Sequence, residues 1–333
     1  MPRVSVIVPT YNHQGCLVES LRSTLQQTCQ DQEIIVVDDG STDDSAIEVL
    51  RRLCPDPDKA EAKWRQRLAS GIGPFGFSFW TGGLQLQYIY QINRGMGAAR
   101  NRGMTASSGE FVAFLEPGFI WDPRFLATQT GFLDESPDAW IAHGRVTPSR
   151  SNGKNGRKRA RGPVPIGFMD VVAGGELCAS AIVARRMCIE AHGGFDENLP
   201  SCEDYDLWIR IAAHVPIFHV GESIVHAPRS TSGPGWCMDR YRVYALEKAF
   251  QSGHLNAEQR HRVAEELIAR CDTLVDGYRQ RSNTERANFY ERKRKRFEIE
   301  VSKLDLSSEG TRPASRSPRS REEVESLSAT GRL

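Results

Sequence analysis

The chain has 333 residues and a formal net charge of +1, enough length for one large core or two domains. Near-neutral charge excludes bulk attraction to nucleic acid or an anionic membrane. No apolar run reaches the roughly 18 residues of a spanning helix, and the first residues do not read as a signal peptide. Eight cysteines, at 16, 29, 54, 178, 188, 202, 237 and 271, form no C-x-x-C pair. They read as reduced thiols of a cytoplasmic protein, with peripheral membrane contact left open.

A first strand is expected over 4–8, running into Pro9-Thr10-Tyr11-Asn12. Leu17, Leu21, Leu25 and Cys29 then recur every four residues, the face of a helix. Ile34-Ile35-Val36-Val37 is an unbroken β-favouring run, as in a strand covered on both faces. It stops at Asp38-Asp39-Gly40-Ser41-Thr42-Asp43, carboxylates at the strand end where open α/β sheets bind ligands. By themselves the two aspartates could equally be turn and cap residues. A helix over 42–53 places Ile47, Leu50 and Leu53 on one face. Residues 54–83 break the rhythm with a charged helical piece around Trp64 and an aromatic piece over 75–80. They read as an insertion, a structural flap or a surface for an acceptor or partner.

A third strand over 86–92 leads into the glycine-rich turn Asn93-Arg94-Gly95-Met96-Gly97, where backbone can approach a ligand at a helix N-terminus. A buried strand over 111–115 ends at Glu116-Pro117-Gly118-Phe119. Residues 149–163 hold six Arg and Lys and no acid, a solvated basic loop. A strand-like run over 179–184 precedes Gly194-Phe195-Asp196-Glu197 and an acidic entry to a helix with Leu207 and Ile211 on its apolar face. From Met238 the pattern is helical. Val243, Leu246 and Phe250 share one face; Asn256 and Gln259 make a capping box ahead of a stripe of Val263, Leu267, Cys271, Leu274 and Tyr278. Residues 279–296 are basic and helical, and the Ser, Pro, Arg and Glu after about 307 cannot bury a core.

Six motifs in order resemble the family 2 glycosyltransferases of GT-A fold: Val6-Ile7-Val8-Pro9-Thr10-Tyr11-Asn12; Val36-Val37-Asp38-Asp39-Gly40-Ser41-Thr42-Asp43; Asn93-Arg94-Gly95 with Ala99-Arg100-Asn101-Arg102-Gly103; Gly109-Glu110-Phe111-Val112-Ala113-Phe114-Leu115; Gly194-Phe195-Asp196-Glu197; and Glu203-Asp204-Tyr205-Asp206-Leu207-Trp208. The resemblance spans about 3–230 apart from 54–83. It implies an α/β fold with a mixed, mostly parallel, Rossmann-like sheet and flanking helices. The expected division is a GT-A domain over 1–235, a helical extension over 236–302 and a disordered tail over 303–333.

It also implies inverting transfer from a nucleotide sugar, usually UDP-linked, to a glycan or lipid-linked acceptor in cell-surface or extracellular glycan synthesis, with no nucleic-acid partner. Tyr11 and Pro9 would wall the base pocket, Asp39 would accept the base N–H, and Arg100 would help at base or phosphates. Inversion is one displacement, so a carboxylate must take the acceptor hydroxyl's proton; by resemblance that is Asp204. Glu203, Asp206 and Trp208 would bind the acceptor.

One departure matters. Most family members hold Mg²⁺ or Mn²⁺ on a D-x-D motif, and here Glu116-Pro117-Gly118 offers one carboxylate where two are expected. Three readings stay open: a weakened metal site on Glu116, a metal-free site using Arg or Lys, or a catalytically impaired protein that binds a nucleotide sugar or acts as a scaffold. A Rossmann dehydrogenase is disfavoured, because the first strand runs into Pro-Thr-Tyr-Asn and not a G-x-G-x-x-G turn.

Overall fold

The computed structural model describes residues 1–71, 74–148, 162–174, 177–228 and 235–308. The first half alternates β1 (Val4–Thr10), α1 (Leu17–Leu25), β2 (Gln32–Asp38), α2 (Ser45–Leu53), α3 (Pro57–Ala69), β3 (Phe75–Thr81), β4 (Leu84–Tyr90), α4 (Met96–Ala106) and β5 (Phe111–Phe114). The second half continues with β6 (Ile120–Trp121), α5 (Phe125–Glu135), β7 (Ile141–Pro148), β8 (Val164–Ile166), α6 (Phe168–Val172), β9 (Ile182–Arg185), α7 (Arg186–Ala191), α8 (Glu203–Ala212) and β10 (Ile217–Ala227). Three helices close the described chain: α9 (Gly235–Gln251), α10 (Ala257–Arg279) and α11 (Thr284–Ser308).

The strands form one mixed sheet in the order β3-β4-β2-β1-β5-β9-β7-β10-β6, with β8 also on β10. β4, β2, β1 and β5 run parallel, and β9 is antiparallel to both β5 and β7. Strand order reverses about β1, so the C-terminal ends of β1, β2 and β5 border a crevice where ligands of open α/β sheets bind. The register sets Thr10 beside Asp38, bringing both expected donor-side loops to that edge.

The apolar run of β2 is covered on both faces, as its composition requires: Ile34 to Val37 are each 0% exposed. Ile34 and Val36 pack with Leu17, Leu21, Ile47 and Leu50 from α1 and α2, while Ile35 and Val37 meet Ala99 of α4. Gly103 lets α4 approach β1 closely, since a Cβ there would lie 2.4 Å from Ile7 Cγ2. α1 stops at Leu25, short of Cys29, so the four-residue repeat overruns the helix.

Residues 54–83 are built into the sheet, not flapped over it. β3 pairs antiparallel with β4 as the sheet's edge strand, and Trp64 of α3 is buried against Phe75, Phe77, Tyr88 and Tyr90. The C-terminal helices dock on the same unit. Val243, Leu246 and Phe250 of α9 and the stripe Val263, Leu267, Cys271, Leu274 and Tyr278 of α10 share one apolar cluster with Leu207, Trp208 and Ile211 of α8. Asn256 caps α10 with Gln259 as the capping box predicts. The basic stretch 279–296 turns into α11, and Arg279, Lys293 and Arg294 pair with Glu291, Glu247 and Asp272. α11 runs to Ser308, past the expected boundary at 302; the rest of the tail, and residues 149–161 of the basic loop, lie outside the described residues.

Candidate active site

The two carboxylates that end β2 have separate tasks. Asp38 is buried and accepts from Ser41 N and Tyr88 Oη, both at 2.7 Å. Burial still raises its pKa against those two bonds. Asp39, 1% exposed, accepts from Gln91 Nε2 (2.7 Å) and Arg94 N (2.9 Å) on Oδ1 and from Gly95 N (2.8 Å) on Oδ2. Asp39 thus pins the glycine turn that starts α4, leaving spare acceptor capacity on Oδ2. Across the edge, Pro9 is buried at the end of β1 and Tyr11 is 41% exposed. Asn12, in the left-handed region at φ 57°, has its Oδ1 accepting from Thr42 N at 2.8 Å. That bond ties the β1 loop to the β2 loop.

α4 carries Arg100 inward from this turn. Its guanidinium is 2% exposed and donates to Glu116, at the end of β5, at 2.5 Å, and to Glu203, at the start of α8. Burial alone would lower its pKa, but Glu116, Glu203 and Asp204 outweigh that and raise it. Arg100 is therefore a permanently charged tie between two carboxylates, and its Nε has no partner among the described residues. The expected role at base or phosphates does not match this buried position.

Cys202 precedes α8 in the left-handed region, φ 62°, an unfavourable place for a side chain bearing Cβ. Strain of this kind is held where surrounding structure over-determines it, often at functional sites. The turn delivers Glu203 and Asp204 into a cavity of ≈ 450 Å³ whose walls include Glu116, Arg100, Met96, Tyr205, Met238 and Arg242. Among the described residues, the Asp204 carboxylate accepts one hydrogen bond, from Tyr205 N at 2.7 Å. Burial first, then repulsion from Glu203, raises its pKa to about 6; Arg100 pulls it down, and Glu116 adds to the rise. The result is a carboxylate poised to exchange a proton near neutral pH.

The other expected acceptor residues fare differently. Glu203 borders the cavity, but its carboxylate is taken up by Arg100. Asp206 faces away, 2% exposed and paired with Arg210 at 2.7 Å and Lys248 at 3.1 Å. It anchors α9 to α8 and is not offered to a ligand. Trp208 is 1% exposed yet edges the cavity, and its Nε1–H has no partner among the described residues. Arg100, Glu116, Glu203 and Asp204 thus meet around one cavity, while Pro9, Tyr11 and Asp39 stand at the neighbouring strand ends, linked to it through α4. Sequence patterns missed Gln91, Cys202, Met238 and Arg242; Arg94-Gly95 carried a signal as part of the glycine turn, and Tyr205 as part of the acidic motif.

The residues do not make a two-carboxylate metal site. Glu116 is bound to Arg100, Gly118 has no side chain, and its φ of 95° would strain an aspartate there. Among the described residues, no group of three or more His, Cys, Asp or Glu could hold a metal ion.

The family model described as Glycosyl transferase family 2 matches residues 5–71 and 78–186, over half of the chain. The chain belongs to glycosyl transferase family 2. Most of 54–83 falls inside that match, so this stretch belongs to the family's own fold; only residues 72–77 interrupt it. An uncharacterized glycosyltransferase of Rickettsia conorii is 27% identical over 238 residues, covering 70% of this chain and 35% of that protein. This family 2 chain thus spans about a third of that relative's length. Among solved structures, S. aureus TarS 1-349 in complex with UDP-GlcNAc is similar at TM-score 0.53 and 16% identity, covering 89% of this chain and 92% of that one. The mannosyltransferase PcManGT from Pyrobaculum calidifontis, in complex with GDP-Man and Mn2+, gives TM-score 0.54 and 17% identity, covering 99% and 79%. At these identities the structural likeness establishes the fold, a GT-A-like mixed sheet with flanking helices and a helical C-terminal region.

Proposed function

We propose that this family 2 domain is an inverting glycosyltransferase in which Asp204 is the general base. The observation that carries the reading is the Asp204 carboxylate itself: it lines the cavity, holds a single hydrogen bond among the described residues, and has its pKa pushed up to about 6. An acceptor hydroxyl loses its proton as it attacks the anomeric carbon, and a carboxylate near pKa 6 is ionised at neutral pH while still basic enough to receive it. Trp208, at the cavity edge, would pack against the acceptor.

On the donor side, Tyr11 would stack on the base and Pro9 would line its pocket. Asp39 Oδ2 would accept the base N–H; because Asp39 is already fixed by three donors, it presents that oxygen without reorganising. A UDP-linked sugar is the donor this reading favours, supported by the UDP-GlcNAc complex of a fold neighbour. The leaving diphosphate needs positive charge that Arg100, held by Glu116 and Glu203, is not free to supply. Arg94, 68% exposed and paired with Glu197 at 2.8 Å, stands at the same strand edge and would supply that charge after releasing its partner.

The acceptor is a glycan or lipid-linked hydroxyl, and the product a cell-surface or extracellular glycan. No described helix is long and apolar enough to cross a membrane. The test is release of UDP from UDP-sugars, with calorimetric titration of UDP in parallel, on the wild type, Asp204→Asn and Asp39→Ala. The reading expects Asp204→Asn to bind UDP and fail to turn over, and Asp39→Ala to lose binding. Turnover by Asp204→Asn equal to the wild type overturns the assignment, and silence of the wild type toward every nucleoside diphosphate favours a scaffold.

A further inference from the structure

A second groove lies away from the cavity of Asp204, between α3 and the edge strand β3. It has a volume of ≈ 360 Å³. Its floor is aromatic, from Trp64, Phe75, Phe77 and Phe79, and its rim carries Lys59, Lys63 and Arg67. Asp56 is the one carboxylate among its lining residues.

The cations are spaced i, i+4 and i+8 on α3, so they stand on one face about 6 Å apart along the axis. The phenylalanines alternate along β3 and repeat about every 6.7 Å. Phe77 and Phe79 stack with centroids 5.8 Å apart, and Phe77 stacks on Tyr88 at 5.1 Å. The two walls therefore repeat at similar spacings, with charge on one and aromatic side chains on the other. The neighbouring arginines are paired: Arg51 and Arg65 share Glu61. Lys59, Lys63 and Arg67 are exposed and have no ion pair among the described residues. Three cations left without counter-ions beside a half-buried aromatic floor are the complement of a chain that repeats both an anion and an apolar ring face.

We infer that this groove binds a strand of anionic polysaccharide, whose apolar C–H groups pack against the half-buried phenylalanine side chains and whose carboxylate, sulfate or phosphate groups meet Lys59, Lys63 and Arg67. The concave shape favours a chain lying along it over a lipid surface, which would meet protruding side chains. Phe75, at one end of β3, stands opposite Tyr90, and Tyr90 stands opposite Asp38, so the groove ends at the edge of the sheet that holds Asp39. A polymer held here would be kept beside the domain between transfers, raising its effective concentration at the cavity. Binding itself does not depend on the catalytic assignment.

The test is calorimetric titration of the full chain with an alginate hexasaccharide, a polyuronate, alongside neutral cellohexaose and vesicles of phosphatidylglycerol. Expected is salt-sensitive binding of the hexauronate, much weaker binding of cellohexaose and none of the vesicles. The triple variant Lys59→Gln, Lys63→Gln, Arg67→Gln should weaken hexauronate binding by about 3- to 125-fold, the product of three exposed ion pairs each worth about 1.4- to fivefold. Its thermal unfolding should be unchanged, since all three side chains are exposed. The control Arg52→Gln with Arg65→Gln removes equally exposed charge outside the groove and should bind as the wild type does. Equal binding by the triple variant, equal loss in the control, tighter binding to vesicles, or no binding of the hexauronate overturns the inference.

Discussion

Asp39 and Asp204 stand on the two sides of the candidate site and are held in opposite ways. Asp39 receives three hydrogen bonds, two of them from the backbone of the turn it fixes. Asp204 receives one among the described residues and faces two like charges, balanced in part by Arg100. A carboxylate surrounded by donors is suited to fixed recognition; one short of donors and crowded by other acids is suited to taking up a proton. The difference comes from neighbours supplied by other elements, Gln91 and α4 for Asp39, Glu203 and Glu116 for Asp204.

The most severe way to break this contrast is at Asp204. Asp204→Asn should lower turnover by about 10²–10⁴-fold, measured as UDP release at saturating donor, with UDP affinity retained. Next comes the tie between the two sides. Arg100→Gln leaves Glu116 and Glu203 facing each other without their cation, and should destabilise the fold by about 3–5 kcal/mol in urea denaturation. Asp39→Ala frees the Arg94-Gly95 turn and leaves Gln91 unpartnered at a buried site. It should lose about 2–3 kcal/mol by the same measurement, together with nucleotide binding.

Two smaller effects sharpen the comparison. With its pKa near 6, Asp204 must lose a proton before it can act, so kcat/KM should fall as pH drops through about 6. The same shift has a stability sign. The folded carboxyl holds its proton more tightly than an unfolded one near 4, so this group makes stability decline as pH rises from about 4 to about 6. Asp204→Asn, which cannot ionise, should then be more stable than the wild type at pH 8 by about 1–2 kcal/mol, read from thermal unfolding. Smallest is Lys248→Met, which removes the α9 partner of Asp196 and Asp206 while Arg210 still pairs with Asp206. It should lose about 1 kcal/mol in denaturation, because the lysine is over a third exposed.

The patterns read from the sequence were those that repeat locally. The β2 run, the faces of α9 and α10 and the capping box of Asn256 follow from side-chain period and backbone geometry, and each lies where its period places it. Misreadings arose where a local rule met tertiary packing. Residues 54–83 lack the rhythm of the preceding units because α3 and β3 finish the sheet's edge with an antiparallel pair, with Trp64 as the core of that corner. Asp206 looks like its neighbours in the acidic run, but helix geometry turns it away from Asp204 and toward Lys248, 42 positions later.

The sequence by itself pointed to the family, to the order of strands and helices outside residues 54–83, and to Asp39 and Asp204 as candidates, because these rest on residue types at fixed local spacing. Tertiary structure alone decided what each charged group does. The burial of Arg100 between Glu116 and Glu203, the left-handed turn at Cys202, and the placing of Met238 and Arg242 of α9 against the cavity all depend on contacts between elements far apart in the chain. A carboxylate's chemistry is set by its solvation and its neighbouring charges, and neither is written in the residues beside it.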